Sequence, residues 1–353
     1  MSAACPDSVS NLARFNQRAL EQHVPLAGCL DLTHRCNLRC IHCYIADGAP
    51  AASGEMTTDR VLSIMDEIAE AGCLFLLITG GEPLLRPDFA SLYVRAKEKG
   101  LLVTVFTNAV LVDERIARLF QEWPPQVVEV SIYGATAAVH DRITGVAGSF
   151  DRAMQGVRRL LDRAVKVTLK TVLMSVNRDE LPAMRQLAAT LGVKFRMDAA
   201  VFARLDGDRV PLQWRLPPAE AVAAEFADES SARDWKRFVE RVPTSEPMER
   251  LYNCGAGVTA FYIDPRGVLQ PCLMTPDIGY RLSEGNFIEG WRWVSAQLAS
   301  RAARSDDACT GCSQRATCGY CPGFFRLETG DERKPAEYLC QLGKERLVRL
   351  KAI

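Results

Sequence analysis

From Gly28 to about Ala203, apolar runs of β-type residues alternate with amphipathic helical stretches, and this alternation constrains the fold more than any other feature of the chain. A strand, a helix and another strand in succession place the strands parallel, because the crossover returns the chain to the same end of the sheet. Six runs read as strands: CLDL, CLFLLIT, LLVTVFT, VVEVSIY, KVTLKTVLM and VKFRMDAAV, near positions 29, 73, 101, 127, 166 and 193. Between them, TTDRVLSIMDEIAEAG, PDFASLYVRAKEKG, DERIARLFQ, SFDRAMQGVRRLLDRA and RDELPAMRQLAATLG have helical spacing, several with polar N-caps or a closing glycine. Such a chain is α/β, either an open barrel or a doubly wound sheet.

The pattern changes after Arg204. A polar, proline-containing stretch with two helical segments forms a bridge over 205–250. From 251 to 353 the chain is rich in Cys, Gly and aromatic residues, with short strand and turn pieces such as TAFYIDPRGVLQPC, as in a small metal-organised module. A segment of about 27 residues, 1–27, precedes the first strand. The charge is balanced, 43 basic residues against 43 acidic, so a polyanion-binding surface and a nucleic-acid partner gain no support. The amino terminus lacks a basic-then-apolar signal pattern, and no apolar run approaches the roughly 18 residues of a membrane span, so the expectation is a cytoplasmic monomer with no membrane partner. In a reducing compartment, 13 cysteines point to metal or redox work rather than disulfides.

Three of those cysteines crowd into DLTHRCNLRCIHCY, residues 31–44, with the spacing C-x3-C-x2-C. Cys36, Cys40 and Cys43 lie where a loop leaves the carboxyl end of the first strand, the end at which barrel and open-sheet active sites are built. Iron–sulfur clusters take cysteine thiolates, usually four, so three close ligands leave one iron open. A zinc site completed by His34 or His42, or a cysteine-rich loop without metal, has the same spacing. The second strand ends in LITGGEPLLRPDF, where Gly80 and Gly81 permit close backbone approach to a ligand and Glu82 can receive an ammonium group.

The C-x3-C-x2-C motif followed by Tyr44, with Gly80-Gly81-Glu82-Pro83 after the next strand, resembles the radical S-adenosylmethionine (radical SAM) superfamily. VSIYGATAAVHDRITGVAGSFDRAMQGVRRL is similar to the fourth strand and following helix in the branch with molybdopterin, coenzyme-PQQ and peptide-maturation enzymes. The resemblance implies a partial (β/α)6, TIM-like barrel over 28–204, with Cys36, Cys40 and Cys43 holding a four-iron four-sulfur cluster whose open iron is chelated by SAM. It further implies that the Gly80 to Glu82 turn binds the methionine amino group, that Ser131 lies near the carboxylate or ribose, and that His42 or Tyr44 flanks the adenine. Reductive cleavage of SAM then yields a 5′-deoxyadenosyl radical that abstracts hydrogen from an inert C–H bond, with the protein supplying position and exclusion of side reactions.

A second group comprises Cys254, Cys272, Cys309, Cys312, Cys318, Cys321 and Cys340, with C-x2-C-x5-C-x2-C from 309 to 321. That quartet alone fits a zinc knuckle. With its flanks it resembles the SPASM extension of radical SAM enzymes, a small cysteine-rich α+β domain with two auxiliary iron–sulfur clusters. The resemblance assigns Cys254, Cys272 and Cys321 to the first and Cys309, Cys312, Cys318 and Cys340 to the second. Two departures stand out: CGYC has two residues between its cysteines where the family often has three, and CGAGVTAFY offers no further cysteine near Cys254, so the first cluster has an iron for a substrate atom or another protein ligand. Cys29 and Cys73 read as small core residues, and Cys5 has no assigned role.

Other residues carry weaker signals. His23, His34 and His140 read as surface, loop or turn residues, with His140-Asp141 ordering a loop. Lys170, Arg196 and Asp198 either enter the barrel or face outward. Tyr262, Asp264 and Tyr320 are proton-transfer candidates that equally suit turns or packing, and Trp291, Trp293, Phe324 and Phe325 pack the small module. The expected function is modification of a ribosomally made peptide, by a chain lacking the winged-helix leader-binding domain of roughly 80 residues that many peptide maturases carry, with a separate leader-binding protein and an electron donor such as flavodoxin or ferredoxin as partners. The alternatives are modification of a tetrapyrrole side chain, which haem-biosynthesis members with the same CxxC ending perform, and a non-enzymatic iron–sulfur electron carrier.

Overall fold

The computed structural model describes residues 6–45, 54–227, 229–241 and 248–352, and Cys5 lies outside them. After α1 (Pro6–Glu21), the first half runs β1 (Ala27–Asp31), α2 (Thr58–Glu70), β2 (Phe75–Thr79), α3 (Phe89–Glu98), β3 (Leu102–Thr107), α4 (Glu114–Glu122), β4 (Val127–Ser131), α5 (Ala137–Thr144), α6 (Ser149–Leu161), β5 (Val167–Val172), α7 (Leu181–Thr190) and β6 (Lys194–Asp198). All six expected strands form. Helices α1 and α5 were not anticipated; α5 has only eight residues, too few to show a period, and is defined by its Thr136 cap and by Gly145 at φ +68°.

The strand order decides between a barrel and a doubly wound sheet. β1 to β6 are parallel and adjacent in chain order, with no reversal. A doubly wound sheet requires a reversal to place helices on both faces, whereas right-handed crossovers in unbroken order put every helix on one face and curl the other into a lumen. Alternate strand residues obey this division. Leu30, Ile78, Val105, Val128 and Val130 share one core with Ile64, Met65, Tyr93 and Phe120 of the helices, while Cys29, Leu77, Phe106, Glu129 and Lys170 border the lumen.

The second half consists of α8 (Pro218–Phe226), α9 (Glu229–Arg241), β7 (Ala260–Ile263), β8 (Val268–Gln270), β9 (Tyr280–Arg281), α10 (Phe287–Ala299), α11 (Arg315–Cys318), α12 (Pro322–Thr329) and α13 (Glu337–Lys351). Its strands continue the barrel sheet. β7 pairs parallel with β1, and β8 and β9 follow antiparallel, giving nine strands in the order β6-β5-β4-β3-β2-β1-β7-β8-β9. The aromatic residues expected to pack a separate module are correspondingly divided. Trp291 joins the barrel core beside Phe261, Phe324 and Phe325 pack with Leu173, Leu181 and Met184 beyond β5, and Trp293 is largely exposed.

The seam between β1 and β7 needs a glycine. A Cβ on Gly28 would sit 2.3 Å from the Phe261 ring, which itself packs edge-on against Phe287. Gly28→Val should therefore destabilise the chain by about 1–3 kcal/mol or more through overpacking, read as a lower denaturant midpoint with an unchanged slope. A midpoint equal to that of the parent would remove this account of the seam.

Candidate active site

The cysteine loop leaves β1 and is held on both sides by main chain. On one side Gly81 N–H donates to Thr33 O (2.7 Å) and Glu82 N–H to Arg35 O (2.9 Å); on the other Arg39 N–H donates to Thr144 O (2.8 Å) and Ile41 N–H to Ile143 O (3.0 Å), at the end of α5. Gly80 adopts φ +136°, and a Cβ there would meet Thr33 O at 2.3 Å; one on Gly81 would meet Arg35 O at 2.3 Å. The close approach read from these glycines is thus made first to the cysteine loop, although both also border the cavity.

Glu82 does not reach the cavity. Its carboxylate is fully buried and accepts from the Thr107 hydroxyl (2.8 and 3.0 Å), Asn108 N–H (2.8 Å) and Leu84 N–H (3.1 Å), tying the end of β2 to the end of β3. Asn108, so placed, donates through Nδ2 to Asn37 Oδ1 (2.8 Å) and lies 3.8 Å from Cys36 Sγ. Burial pushes the Glu82 carboxyl up to about 7 against the pull of these donors.

Cys36, Cys40 and Cys43 border one end of a cavity of about 1050 Å³ that fills the lumen. Desolvation by surrounding protein pushes the Cys36 thiol up to about 11, although its side chain opens onto the cavity, and also raises the more enclosed Cys40; neighbouring thiols add to both. Thiols raised in this way become thiolates only beside a strong positive centre such as bound metal. Zinc needs its donors about 2.0–2.3 Å from a single ion. Among the described residues no three Cys, His, Asp or Glu side chains gather that closely, whereas the corners of an iron–sulfur cluster take thiolates that stand apart. Four buried polar atoms of residues on the cavity wall, Asp31 Oδ1, His34 Nε2, His42 Nδ1 and Glu129 Oε2, have no hydrogen-bond partner among the described residues, as expected of a wall shaped for a polar occupant.

The remaining expected site residues border the same space. His42 meets Tyr133 edge-on at 4.5 Å and burial lowers it to about 4, so it is neutral near pH 7. Tyr44 stacks on Phe202 at 5.8 Å, and Ser131 shares a hydrogen bond with Tyr133. Lys170, Arg196 and Asp198 all turn inward. Lys170 sits 2.8 Å over the Phe106 ring and is lowered to about 7, chiefly by burial; Arg196 pairs with Glu129 at 2.6 Å. Tyr262 also enters the lumen and donates to Asp31 (2.8 Å), with His34 3.5 Å from the same carboxylate. Asp264, by contrast, shapes the β7–β8 turn by accepting from Arg266 and Val268 N–H, and Tyr320 donates to Leu251 O. Asp141 orders the α5–α6 loop by accepting from Gly148 and Phe150 N–H, whereas His140 accepts from Tyr133 N–H in the β4–α5 connection.

Sequence reading missed Asp31, Phe106, Glu129 and Tyr133, and placed Cys29 in the core where the structure turns it into the cavity. The signal for Cys29 and Asp31 lay in CLDL, where a cysteine and an acid alternate with two leucines. The later cysteines form two groups. Cys254, Cys272 and Cys321 lie within electrostatic reach of one another, and so do Cys309, Cys312, Cys318 and Cys340. Cys318 ends α11 and Cys321 caps α12, accepting from Phe324 N–H at 3.4 Å, so the two-residue spacing of CGYC sends its cysteines to different groups.

Residues 30–188 match the radical SAM superfamily model. The chain carries a radical SAM domain over these residues. Its cofactors are S-adenosylmethionine and a SAM-binding four-iron four-sulfur cluster. This radical SAM enzyme is 26% identical over 331 residues, 87% of its length and 94% of the relative's, to the AdoMet-dependent heme synthase of Methanosarcina barkeri. It is 28% identical over 322 residues, 88% of its length and 81% of the relative's, to the mycofactocin maturase MftC of Mycobacterium tuberculosis. Its fold is that of Streptococcus suis SuiB bound to the precursor peptide SuiA, with TM-score 0.73, 18% identity and coverage of 97% of this chain and 82% of that one. No helix among the described residues is long and apolar enough to cross a membrane.

Glu82 supplies a test of the clamp. A carboxyl raised from 4.5 to about 7 in the folded chain contributes stability that is full below its unfolded value and is lost as pH rises toward 7, by at most about 3 kcal/mol. Denaturant midpoints of the metal-free chain should fall over that window, and Glu82→Gln should flatten the fall. Equal slopes in parent and variant would refute the assignment.

Proposed function

We propose that this enzyme binds its SAM-chelating cluster through Cys36, Cys40 and Cys43 and abstracts hydrogen from a ribosomally synthesised peptide held in the lumen. The observation that carries the reading is one cavity with three thiols at one end and a wall of alternating charge, Glu129, Lys170, Arg196 and Asp198, on the strands leading to the sheet edge at β6. An edge strand offers unpaired main-chain groups to an extended peptide, and the charged wall selects among its side chains. The maturase MftC and the peptide-bound SuiB are similar to this chain in sequence and in fold respectively.

When bound, the reduced cluster supplies the electron that splits SAM into methionine and the 5′-deoxyadenosyl radical. The chain's part is placement. Gly80 and Gly81 present main-chain groups to the methionine amino group, Ser131 serves the carboxylate or ribose, and His42 and Tyr44 flank the adenine; Glu82 acts from beneath by fixing the turn. Residues 28–204 form the catalytic barrel, 205–250 a bridge and 251–353 a SPASM extension, with 1–27 preceding them. In that extension Cys254, Cys272 and Cys321 hold one auxiliary cluster and Cys309, Cys312, Cys318 and Cys340 another, a reading supported by their two groupings. A flavodoxin- or ferredoxin-type donor delivers electrons, a separate protein presents the leader peptide, and the enzyme works as a cytoplasmic monomer.

A second reading, tetrapyrrole side-chain modification, is favoured by the alignment with the heme synthase over 94% of that protein. Lys170 and Arg196 then meet propionate carboxylates. The two separate cleanly. On the peptide reading, the reconstituted enzyme with SAM and dithionite forms 5′-deoxyadenosine together with a mass change in a peptide encoded beside it, and iron-coproporphyrin titration leaves the Soret band unshifted; a Soret shift with porphyrin turnover would establish the alternative. Replacing Cys36, Cys40 and Cys43 with Ala should remove about four irons and abolish 5′-deoxyadenosine; its persistence would refute these three as the ligands.

A further inference from the structure

We propose that Cys29 is the fourth protein ligand of the first auxiliary cluster, completing the set Cys254, Cys272 and Cys321. This deepens the function proposed above and rests on its reading that those three cysteines hold a cluster. A four-iron cluster usually takes four thiolates, and the stretch after Cys254 supplies none. The missing ligand must come from another part of the fold.

Topology brings Cys29 to the right place. Its register partner on β7 is Tyr262, and the register partner of Tyr262 on β8 is Gln270, two residues before Cys272. Cys29 thus lies two strand spacings, about 10 Å along the sheet, from the end of the strand that delivers Cys272. The sheet curls toward the lumen, and Cys29 points into it, whereas its neighbours Gly28 and Leu30 face Phe261 and the helix-side core. Leu273, next to Cys272, borders the same cavity, and the Cys29 and Cys272 thiols lie within electrostatic reach.

The other cysteines among the described residues are engaged elsewhere. Cys73 is buried in the barrel core on the helix side, with its thiol 3.5 Å from Phe75 O. Cys309, Cys312, Cys318 and Cys340 keep to their own group, and Cys36, Cys40 and Cys43 line the opposite, carboxyl end of the strands. Four protein thiolates would close the first auxiliary cluster to substrate. It would then exchange electrons across the lumen rather than bind a substrate atom, and β1 would carry ligands for two clusters, one within the strand and one in the loop that follows it.

The test uses the full chain with Cys36, Cys40 and Cys43 replaced by Ala, reconstituted anaerobically and reduced with dithionite, with potassium cyanide as the probe for an open iron. In this background the auxiliary EPR signals should not respond to cyanide. Adding Cys29→Ala should either lower the iron content by about four per chain or leave a signal that shifts with cyanide. Cys29→Ser keeps the side-chain volume and replaces sulfur with oxygen, so it should alter the g-values even if the alanine variant folds poorly. Unchanged iron, g-values and cyanide response in both variants would overturn the proposal, as would a cyanide-sensitive parent background. Cys272→Ala serves as the control: if it loses no iron, the reading of the first auxiliary cluster has failed, whatever Cys29 does.

Discussion

The hydrogen-bonded ladder on both sides of β1 is the constraint on which the rest of the structure depends. β1 is clamped between β2 and β7 over four to five register positions, so the loop that follows it starts from a backbone with almost no freedom. That rigidity passes into the loop through main-chain bonds from Gly81 and Glu82. It passes outward again through the Glu82 carboxylate, which fixes Thr107 and Asn108 at the end of β3. Three strand ends are thereby locked around three thiols, the preorganisation that a reactive radical requires if it is to meet one C–H bond and nothing else.

Burial sets the electrostatic character of the lumen. Desolvation raises the thiols and the Glu82 carboxyl and lowers His42 and Lys170, so most titratable groups here favour their neutral forms. Arg196 and Glu129 pair directly on the same wall. A bound cationic centre would reverse that balance for the thiols beside it. The sheet continues from β1 into β7, β8 and β9, so Cys272, two residues after β8, follows directly on the barrel sheet rather than on a detached module.

Much of this was legible in the chain. Runs of β-type residues set between helical stretches made all six strands readable, and crowded cysteines can serve only a few chemistries. Other parts were not. Eight residues of α5 are too few to display a period, and although TAFYIDPRGVLQPC showed short strand pieces, the pairing of β7 with β1 across more than two hundred positions, with β8 following on β7, was not visible in it. Glu82 was legible as important but not as buried, because the direction of a side chain at a strand end is set by the turn beyond it.

The sequence by itself determined the parallel βα succession, the C-x3-C-x2-C grip and the two later families of cysteines, because periodicity and ligand spacing are local properties of a chain. Only the tertiary structure decided that the sheet winds one way into a barrel, that Gly80 and Gly81 admit the cysteine loop, and that CGYC divides between two groups. It also turned Cys29 and Asp31 inward. Alternation along a strand says that residues i and i+2 share a face, but which face is the lumen depends on where the helices pack, and that is settled by contacts between residues far apart in sequence.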